Sequence, residues 1–97
     1  MRHEIVLAPQ AVQDLRRLSA HDRAAVREAI QVHLRYQPTK VGKSRIKRLR
    51  KTSHPEYRLR VGEMRVFYDV TEGRVEILAI VQKSKAREWL ETLEGQR

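Results

Sequence analysis

The first residues of the chain combine a short β-branched run with a helical repeat. Residues 4–7, Glu-Ile-Val-Leu, favour a strand. Pro9 suits the first turn of a helix, where its missing N–H costs nothing. Val12, Leu15 and Leu18 then recur at spacings of three. This spacing predicts a short helix that ends near Leu18.

A second helical pattern follows at once. Ser19 is a suitable N-cap, and Asp22 places negative charge in the first helical turn. The apolar positions that predict the helix are Val26, Ala29, Ile30 and Leu34. The helix should end before Pro38, because the residue before a proline is disfavoured in helical geometry. Two helices joined so tightly should form an antiparallel hairpin.

Alternating apolar and polar residues from Tyr57 onward predict three strands joined by tight turns. Residues 62–63 and 72–73 are Gly-Glu and Glu-Gly, and glycine supplies the positive φ that such turns require. Two-residue loops fix the register of both hairpins. The predicted pairs of the first are Val61–Met64, Arg60–Arg65, Leu59–Val66 and Arg58–Phe67. Those of the second are Val70–Val75, Tyr68–Ile77, Phe67–Leu78, Val66–Ala79 and Arg65–Ile80.

This register sorts the side chains onto two faces, because successive residues of a strand point to opposite sides. An apolar face should receive the two helices. Its members are Tyr57, Leu59, Val61, Met64, Val66, Tyr68, Val70, Val75, Ile77, Ala79 and Val81. The opposite face is mixed. It carries Arg58, Arg60, Arg65, Phe67, Asp69, Glu76, Leu78 and Ile80.

The chain closes with a third amphipathic helix. Ser84 is the predicted N-cap, and the apolar positions are Ala86, Trp89, Leu90 and Leu93. This helix could cover Phe67, Leu78 and Ile80, or dock at a sheet edge. The order β-α-α-β-β-β-α predicts one α+β domain over residues 1–97, with an antiparallel sheet packed on the helical hairpin.

Charge is concentrated in one stretch. The 97 residues carry a net charge of +9. Residues 40–65 hold ten Lys or Arg against two Glu, a net +8, so the rest contributes +1. Such a cluster favours a polyanionic partner: nucleic acid, a ribosome or an acidic protein. No cysteine is present and the longest apolar run has five residues, so a cytoplasmic location without membrane contact is expected.

Arginines on the predicted hairpin are the main candidates for chemistry. Arg60 should lie opposite Arg65, with Arg58 one step along on the same face. Like charges across a strand pair destabilise a sheet by under about 1 kcal/mol, so an anion is expected to offset them. The candidates are Asp69 and Glu76, a carboxylate of a partner, or phosphate, which matches the planar fork of guanidinium. A merely solvated charged face is the alternative.

Other candidate groups are few. Phe67, with or without Trp89, could stack on a base beside the arginines. The histidines, which have no metal-ligand spacing, are His3, His21, His33 and His54. His54 precedes the arginine strand and is a candidate general base.

The chain resembles the RelE/ParE superfamily of toxins from type II toxin–antitoxin modules, and more its RelE-like branch. The resemblance rests on the helical hairpin after one strand, on the basic segment Ile-Lys-Arg-Leu at 46–49, and on residues 57–68. The last stretch, YRLRVGEMRVFY, matches the family pattern of Tyr-Arg, hydrophobic, Arg-x-Gly-x-x-Arg, two hydrophobics and Tyr. The compact helices resemble the RelE branch more than the gyrase-poisoning ParE branch, whose helical hairpin is usually longer.

The resemblance implies a ribosome-dependent mRNA endonuclease that inhibits translation and uses no metal or cofactor. The message's own 2′-hydroxyl would be the nucleophile, and Arg58, Arg60 and Arg65 would be the catalytic cations. The residues expected to bind RNA or the ribosome are Lys47, Arg48, Arg50, Lys51, Phe67, Lys83 and Lys85. Partners would be the 70S ribosome, mRNA and an acidic antitoxin that covers the arginine face or displaces the helix at 84–94. A homodimer or a toxin–antitoxin hetero-oligomer is expected.

Two positions depart from the RelE pattern. The family has an arginine just after the last strand and a tyrosine on the final helix, where this chain has Ser84 and Leu90. Lys83 or Lys85 could replace the arginine charge, but leucine cannot replace tyrosine. Arginine stays protonated and cannot serve as a base. The alternatives are therefore a non-catalytic module that binds the ribosome, RNA or the antitoxin as a corepressor, or a ParE-like gyrase inhibitor.

Overall fold

A computed structural model describes residues 2–42, 45–50 and 52–94. The described residues form three helices and five strands. In chain order these are β1 (Glu4–Leu7), α1 (Pro9–Arg17), α2 (Ala20–Leu34), β2 (Ile46–Arg48), β3 (Tyr57–Val61), β4 (Met64–Thr71), β5 (Arg74–Gln82) and α3 (Lys83–Glu94). This is the α+β architecture that the pattern predicted, with one further strand.

The strands form a single sheet in the order β1-β5-β4-β3-β2. Three neighbouring pairs are antiparallel, whereas β1 runs parallel to β5, so the sheet is mixed rather than purely antiparallel. The unexpected strand is β2, which lies in the segment that the sequence indicated to be a basic connection. It forms because Ile46, opposite Leu59, is buried in the core at the sheet edge. Three residues are too few to give a period-two signal.

Local signals placed most boundaries correctly. The Ser19 hydroxyl accepts a hydrogen bond from the Asp22 N–H at 3.1 Å, as expected of an N-cap. Gly62 and Gly73 have φ values of 57° and 74° in the two hairpin loops. The predicted cap at Ser84 was wrong: α3 starts at Lys83, directly after β5, so Ser84 is its second residue. The Lys83 N–H donates to the Glu63 carbonyl at 2.7 Å, which anchors this start to the first hairpin loop.

The register of the first hairpin is as predicted, from Val61–Met64 to Arg58–Phe67. In the second, Val70–Val75 and Tyr68–Ile77 are also as predicted. Beyond Tyr68 the predicted pairs were wrong, because a β-bulge leaves Leu78 as an extra residue. The observed pairs there are Phe67–Ala79, Val66–Ile80 and Arg65–Val81.

The bulge exchanges the faces of the last β5 residues. Ile80, predicted on the arginine side, is buried in the core cluster with the helical hairpin. Ala79 and Val81, predicted toward the helices, instead share the face of Phe67 and Arg65. Turning Ile80 inward places a large aliphatic side chain in the core in place of Ala79, which accounts for the shift.

The main core lies between the sheet and the helical hairpin. Tyr68, its largest fully buried side chain, stacks on Tyr57 with ring centroids 5.5 Å apart. The Tyr68 hydroxyl donates to the Pro38 carbonyl at 2.7 Å, and this bond holds the segment after α2 against the sheet. Burial raises the pKa of Tyr68 well above its usual range, so the hydroxyl remains a neutral donor.

Candidate nucleic-acid interface

The three hairpin arginines share the sheet face that points away from the helical hairpin. Arg60 pairs with Arg65 across β3 and β4, and Arg58 lies one step along β3 on the same face. We call these three residues the arginine row. Arg60 is exposed and Arg58 is half-buried. Arg65 is 7% exposed, and its Nη1 donates to the carbonyls of Gly62 and Met64, at 2.9 Å each.

Electrostatic repulsion operates within the arginine row. Burial lowers the pKa of Arg58, and the guanidiniums of Arg65 and Arg60 lower that pKa further. Arginine nevertheless remains protonated at neutral pH. The row therefore presents clustered positive charge, with Arg60 as its exposed member. An external anion at this place would relieve the repulsion.

Asp69, one of the acids considered as an internal counter-charge, has other partners. One carboxylate oxygen accepts the Glu56 N–H at 2.8 Å, and the other lies 2.9 Å from His54 Nδ1. Asp69 is also four residues from Arg65 along β4, about 13 Å at ~3.3 Å per residue. His54, the candidate general base, is thus held at the far end of the strand rather than beside Arg60 and Arg65.

A groove of about 830 Å³ lies between α3 and residues 47–50 with Thr52, which we call the β2 segment. We call it the α3 groove. Its described lining residues are Lys47, Arg48, Leu49, Arg50, Thr52, Lys83, Ala86, Arg87, Leu90 and Glu91. Five cations and one acid thus surround a small apolar floor. This is the composition expected of a surface that follows a phosphate backbone and contacts bases or sugars.

The α3 groove joins four of the predicted RNA-binding residues: Lys47, Arg48, Arg50 and Lys83. Lys47 pairs with Arg58 across β2 and β3, so the groove borders the arginine row. Arg48 is partly engaged, since its Nη1 donates to the Tyr57 hydroxyl at 3.0 Å. Its Nη2 also lies 3.9 Å from a Glu56 carboxylate oxygen.

The remaining predicted residues lie elsewhere. Lys85 is exposed on α3 and does not line the groove. Lys51 falls outside the described residues. Phe67 is only 1% exposed, and its ring stacks on Trp89 with centroids 4.8 Å apart and an interplanar angle of 24°. The prediction that Phe67 offers an open stacking platform is therefore contradicted, because α3 covers the ring.

The sequence reasoning missed Arg87. It follows Lys83 by four residues, and Leu90 and Glu91 follow by seven and eight, so all share one face of α3. The helical spacing could have revealed this face. Leu90, where the family pattern has tyrosine, lines the groove, whereas exposed Ser84 does not.

Neither a metal-ligand cluster nor a membrane-spanning helix occurs among the described residues. Within 2–42, 45–50 and 52–94, no group of three or more His, Asp or Glu side chains could hold a metal ion. The helices of that part are all too short or too polar to cross a membrane.

The sequence of this chain matches a known protein family over most of its length. Residues 5–87 match the sequence model described as the ParE toxin of the type II toxin–antitoxin system, parDE. No curated protein sequence matches the chain significantly.

Solved structures resemble the chain over most of its length. A chain of the RelBE2 toxin–antitoxin complex from Mycobacterium tuberculosis is 25% identical, with a TM-score of 0.71 over 84% of this chain and 99% of that one. A chain of the archaeal RelE–RelB complex from Pyrococcus horikoshii is 26% identical, with a TM-score of 0.68 and coverages of 84% and 96%. The YoeB–YefM complex from Staphylococcus aureus shares the fold at 19% identity, with a TM-score of 0.64 and coverages of 82% and 95%.

Proposed function

The chain belongs to the ParE toxin family of the RelE/ParE superfamily and is a toxin of a type II toxin–antitoxin system, and we propose that it is a ribosome-dependent mRNA endonuclease. It acts in the cytoplasm, on messages held in the decoding site of the ribosome. The observation that carries this proposal is the pairing of Arg60 with Arg65 beside Arg58, next to a cationic groove. Fixed cations of this kind are what a phosphoryl transition state requires.

In the proposed reaction the 2′-oxygen of one nucleotide attacks the adjacent phosphorus. As the bond to the 5′-oxygen of the next nucleotide breaks, that oxygen gains a proton in place of the one lost by the 2′-hydroxyl, which leaves a 2′,3′-cyclic phosphate and a 5′-hydroxyl. Negative charge grows on the non-bridging oxygens as the pentavalent state forms. Arg60 is exposed and can present its fork to those oxygens, while half-buried Arg58 and buried Arg65 stabilise the same charge from behind it.

The α3 groove supplies affinity in this proposal. Its lysines and arginines neutralise backbone phosphates without reading sequence, so binding should weaken as salt rises. Because arginine cannot accept the proton of the 2′-hydroxyl, the acceptor comes from outside the arginine row. A reaction that needs the ribosome is consistent with that requirement.

Induced expression in bacteria tests the proposal. Primer extension on a translated message should show cuts in phase with codons, and the same message without its start codon should stay intact. Arg60→Ala should reduce cleavage by at least about 100-fold, on the order expected for loss of a transition-state charge contact. Arg74→Ala is the matched control, because Arg74 is an exposed arginine at the other end of the sheet, 3.6 Å from a Glu4 carboxylate oxygen.

A second candidate function is inhibition of translation by occupancy, without cleavage. Leu90 favours it, since a leucine in the groove cannot act in proton transfer where the family pattern has tyrosine. Growth arrest with intact mRNA would support this candidate and contradict the nuclease. Induction of a DNA-damage response with normal translation would contradict both and indicate a gyrase target.

A further inference from the structure

A second surface lies on the helical side of the sheet, apart from the arginine row. Three large apolar side chains are exposed there: Val32 at 63%, Tyr36 at 59% and Val41 at 55%. Val32 lies in the last turn of α2, and Tyr36 and Val41 lie in the segment that follows this helix. All three line one groove of about 350 Å³. We call it the α2 groove.

The walls of the α2 groove are held in place. Pro38 is fully buried, and its carbonyl accepts the hydrogen bond of the Tyr68 hydroxyl. The Gly42 N–H donates to the Ile46 carbonyl at 3.1 Å. Arg45 Nη1, from the segment before β2, donates to His33 Nε2 of α2 and so links these two parts of the lining. The groove therefore exists before any partner arrives, which lowers the entropy cost of binding.

Charge around the groove has one sign. Lys40, Arg45 and His33 line it together with the three apolar residues, and none of the described lining residues is acidic. Desolvation by burial, with a further contribution from Arg45, lowers the pKa of His33. This shift favours the neutral imidazole, which can accept the Arg45 hydrogen bond. Lys40 and Arg45 supply the positive charge.

The positive charge and apolar side chains of the α2 groove favour one kind of binding partner over others. A second copy of the chain would bring the same cations to the groove and be repelled. A nucleobase could use Tyr36, but the two valines offer it no stacking plane. An acidic segment with large aliphatic side chains satisfies both the charge and the apolar surface. The structural relatives were solved as toxin–antitoxin complexes, so an antitoxin is the partner of this chemistry that the chain should meet.

We propose that the α2 groove is a docking site for an acidic amphipathic segment of the antitoxin. The site is separate from the arginine row, so the antitoxin can hold the toxin there whether or not it also covers the cations. The inference rests on the toxin–antitoxin assignment and not on mRNA cleavage. Loss of cleavage and loss of docking are therefore separate results.

A designed peptide serves as the probe. It has about 16 residues, roughly four helical turns, with Glu on one face and Leu on the other, and carries a fluorescent label. Two matched peptides replace the leucines by serine or the glutamates by lysine. The full chain, made by chemical synthesis so that no antitoxin accompanies it, is titrated into each while anisotropy is recorded.

The first peptide should bind, and both matched peptides should bind at least about tenfold more weakly, because each lacks one half of the recognition. Val32→Ser and Tyr36→Ser should each weaken binding of the first peptide by about tenfold. Both residues are exposed, so circular dichroism of these variants should match that of the parent chain. Leu90→Ser, in the α3 groove, should leave binding unchanged.

Four outcomes would overturn the proposal. The first peptide could fail to bind, or the serine peptide could bind equally well, which would indicate charge alone. Leu90→Ser could weaken binding while Val32→Ser does not, which would place the peptide in the α3 groove. In sedimentation, the chain alone could self-associate through Val32, which would make a second copy the occupant.

Discussion

The two faces of the sheet are built from alternating residues of the same strands, yet they obey different constraints. Leu59 and Val66 face the helical hairpin and are completely buried among apolar neighbours. Arg60 and Arg65, one residue along each strand, face the other way and place like charges opposite each other. Burial of the apolar face stabilises the folded state, whereas the like charges of the arginine row destabilise it slightly. Because the arginine row destabilises the fold, we infer that it serves to bind an anionic partner.

The largest expected effect is on the apolar face. Leu59→Ala should lower the free energy of unfolding by about 2–5 kcal/mol, because the buried leucine would leave a cavity in the core. Urea denaturation followed by circular dichroism measures the loss. A change below about 1 kcal/mol would mean that this face is not the main core and would remove the contrast between the faces.

A smaller effect is expected at Tyr68. Tyr68→Phe removes the donor to the Pro38 carbonyl and should destabilise the fold by about 1–3 kcal/mol, since a buried acceptor loses its partner. Tyr36→Phe is the matched control, because Tyr36 is 59% exposed and should change stability by less than about 0.5 kcal/mol. Equal effects in the two variants would show that the Tyr68 hydroxyl does not contribute.

The next effect concerns α3, whose Trp89 covers Phe67 on the arginine face of the sheet. Trp89→Ala should cost about 1 kcal/mol through loss of the stack on Phe67. Trp89→Phe retains an aromatic ring and should cost less. Hydrogen exchange of β4 amides next to Phe67 should quicken in the alanine variant alone. If both variants matched the parent chain, α3 would not be held by this contact.

The smallest change, and the one of opposite sign, is expected in the arginine row. Arg60→Ala should raise the free energy of unfolding by under about 1 kcal/mol, because it removes a like charge opposite Arg65. Added salt should stabilise the parent chain more than this variant, because salt screens the repulsion. Arg74→Ala should show no such gain. A clear destabilisation by Arg60→Ala would mean that the arginine row helps the fold.

Residues close in sequence were predicted well. The Ser19 cap and the pairing of Arg60 with Arg65 were correct, because each depends on a short segment. A two-residue loop with glycine at a positive φ leaves one register for the strands beside it. The family resemblance likewise rested on this hairpin, and the match over residues 5–87 supports it.

Features that depend on distant contacts were predicted wrongly or left open. The bulge at Leu78 exists because Ile80 fills the core beneath the helical hairpin, and no local signal in β5 indicates it. The burial of Phe67 depends on Trp89, 22 positions later in the chain. The sequence allowed α3 either to cover Phe67 or to dock at a sheet edge, and only the packing of Trp89 on the Phe67 ring excluded a stacking platform there.

The sequence by itself therefore determined the hairpin, its register and the presence of three arginines on one face, since strand alternation and tight turns are local rules. Only the tertiary structure decided what each arginine can do. In the folded chain Arg65 donates to the Gly62 carbonyl of its own hairpin loop, whereas Arg60 stays exposed. The β2 segment and α3 together line one cationic groove. Those outcomes depend on how separate elements pack, and packing is set by the whole core at once.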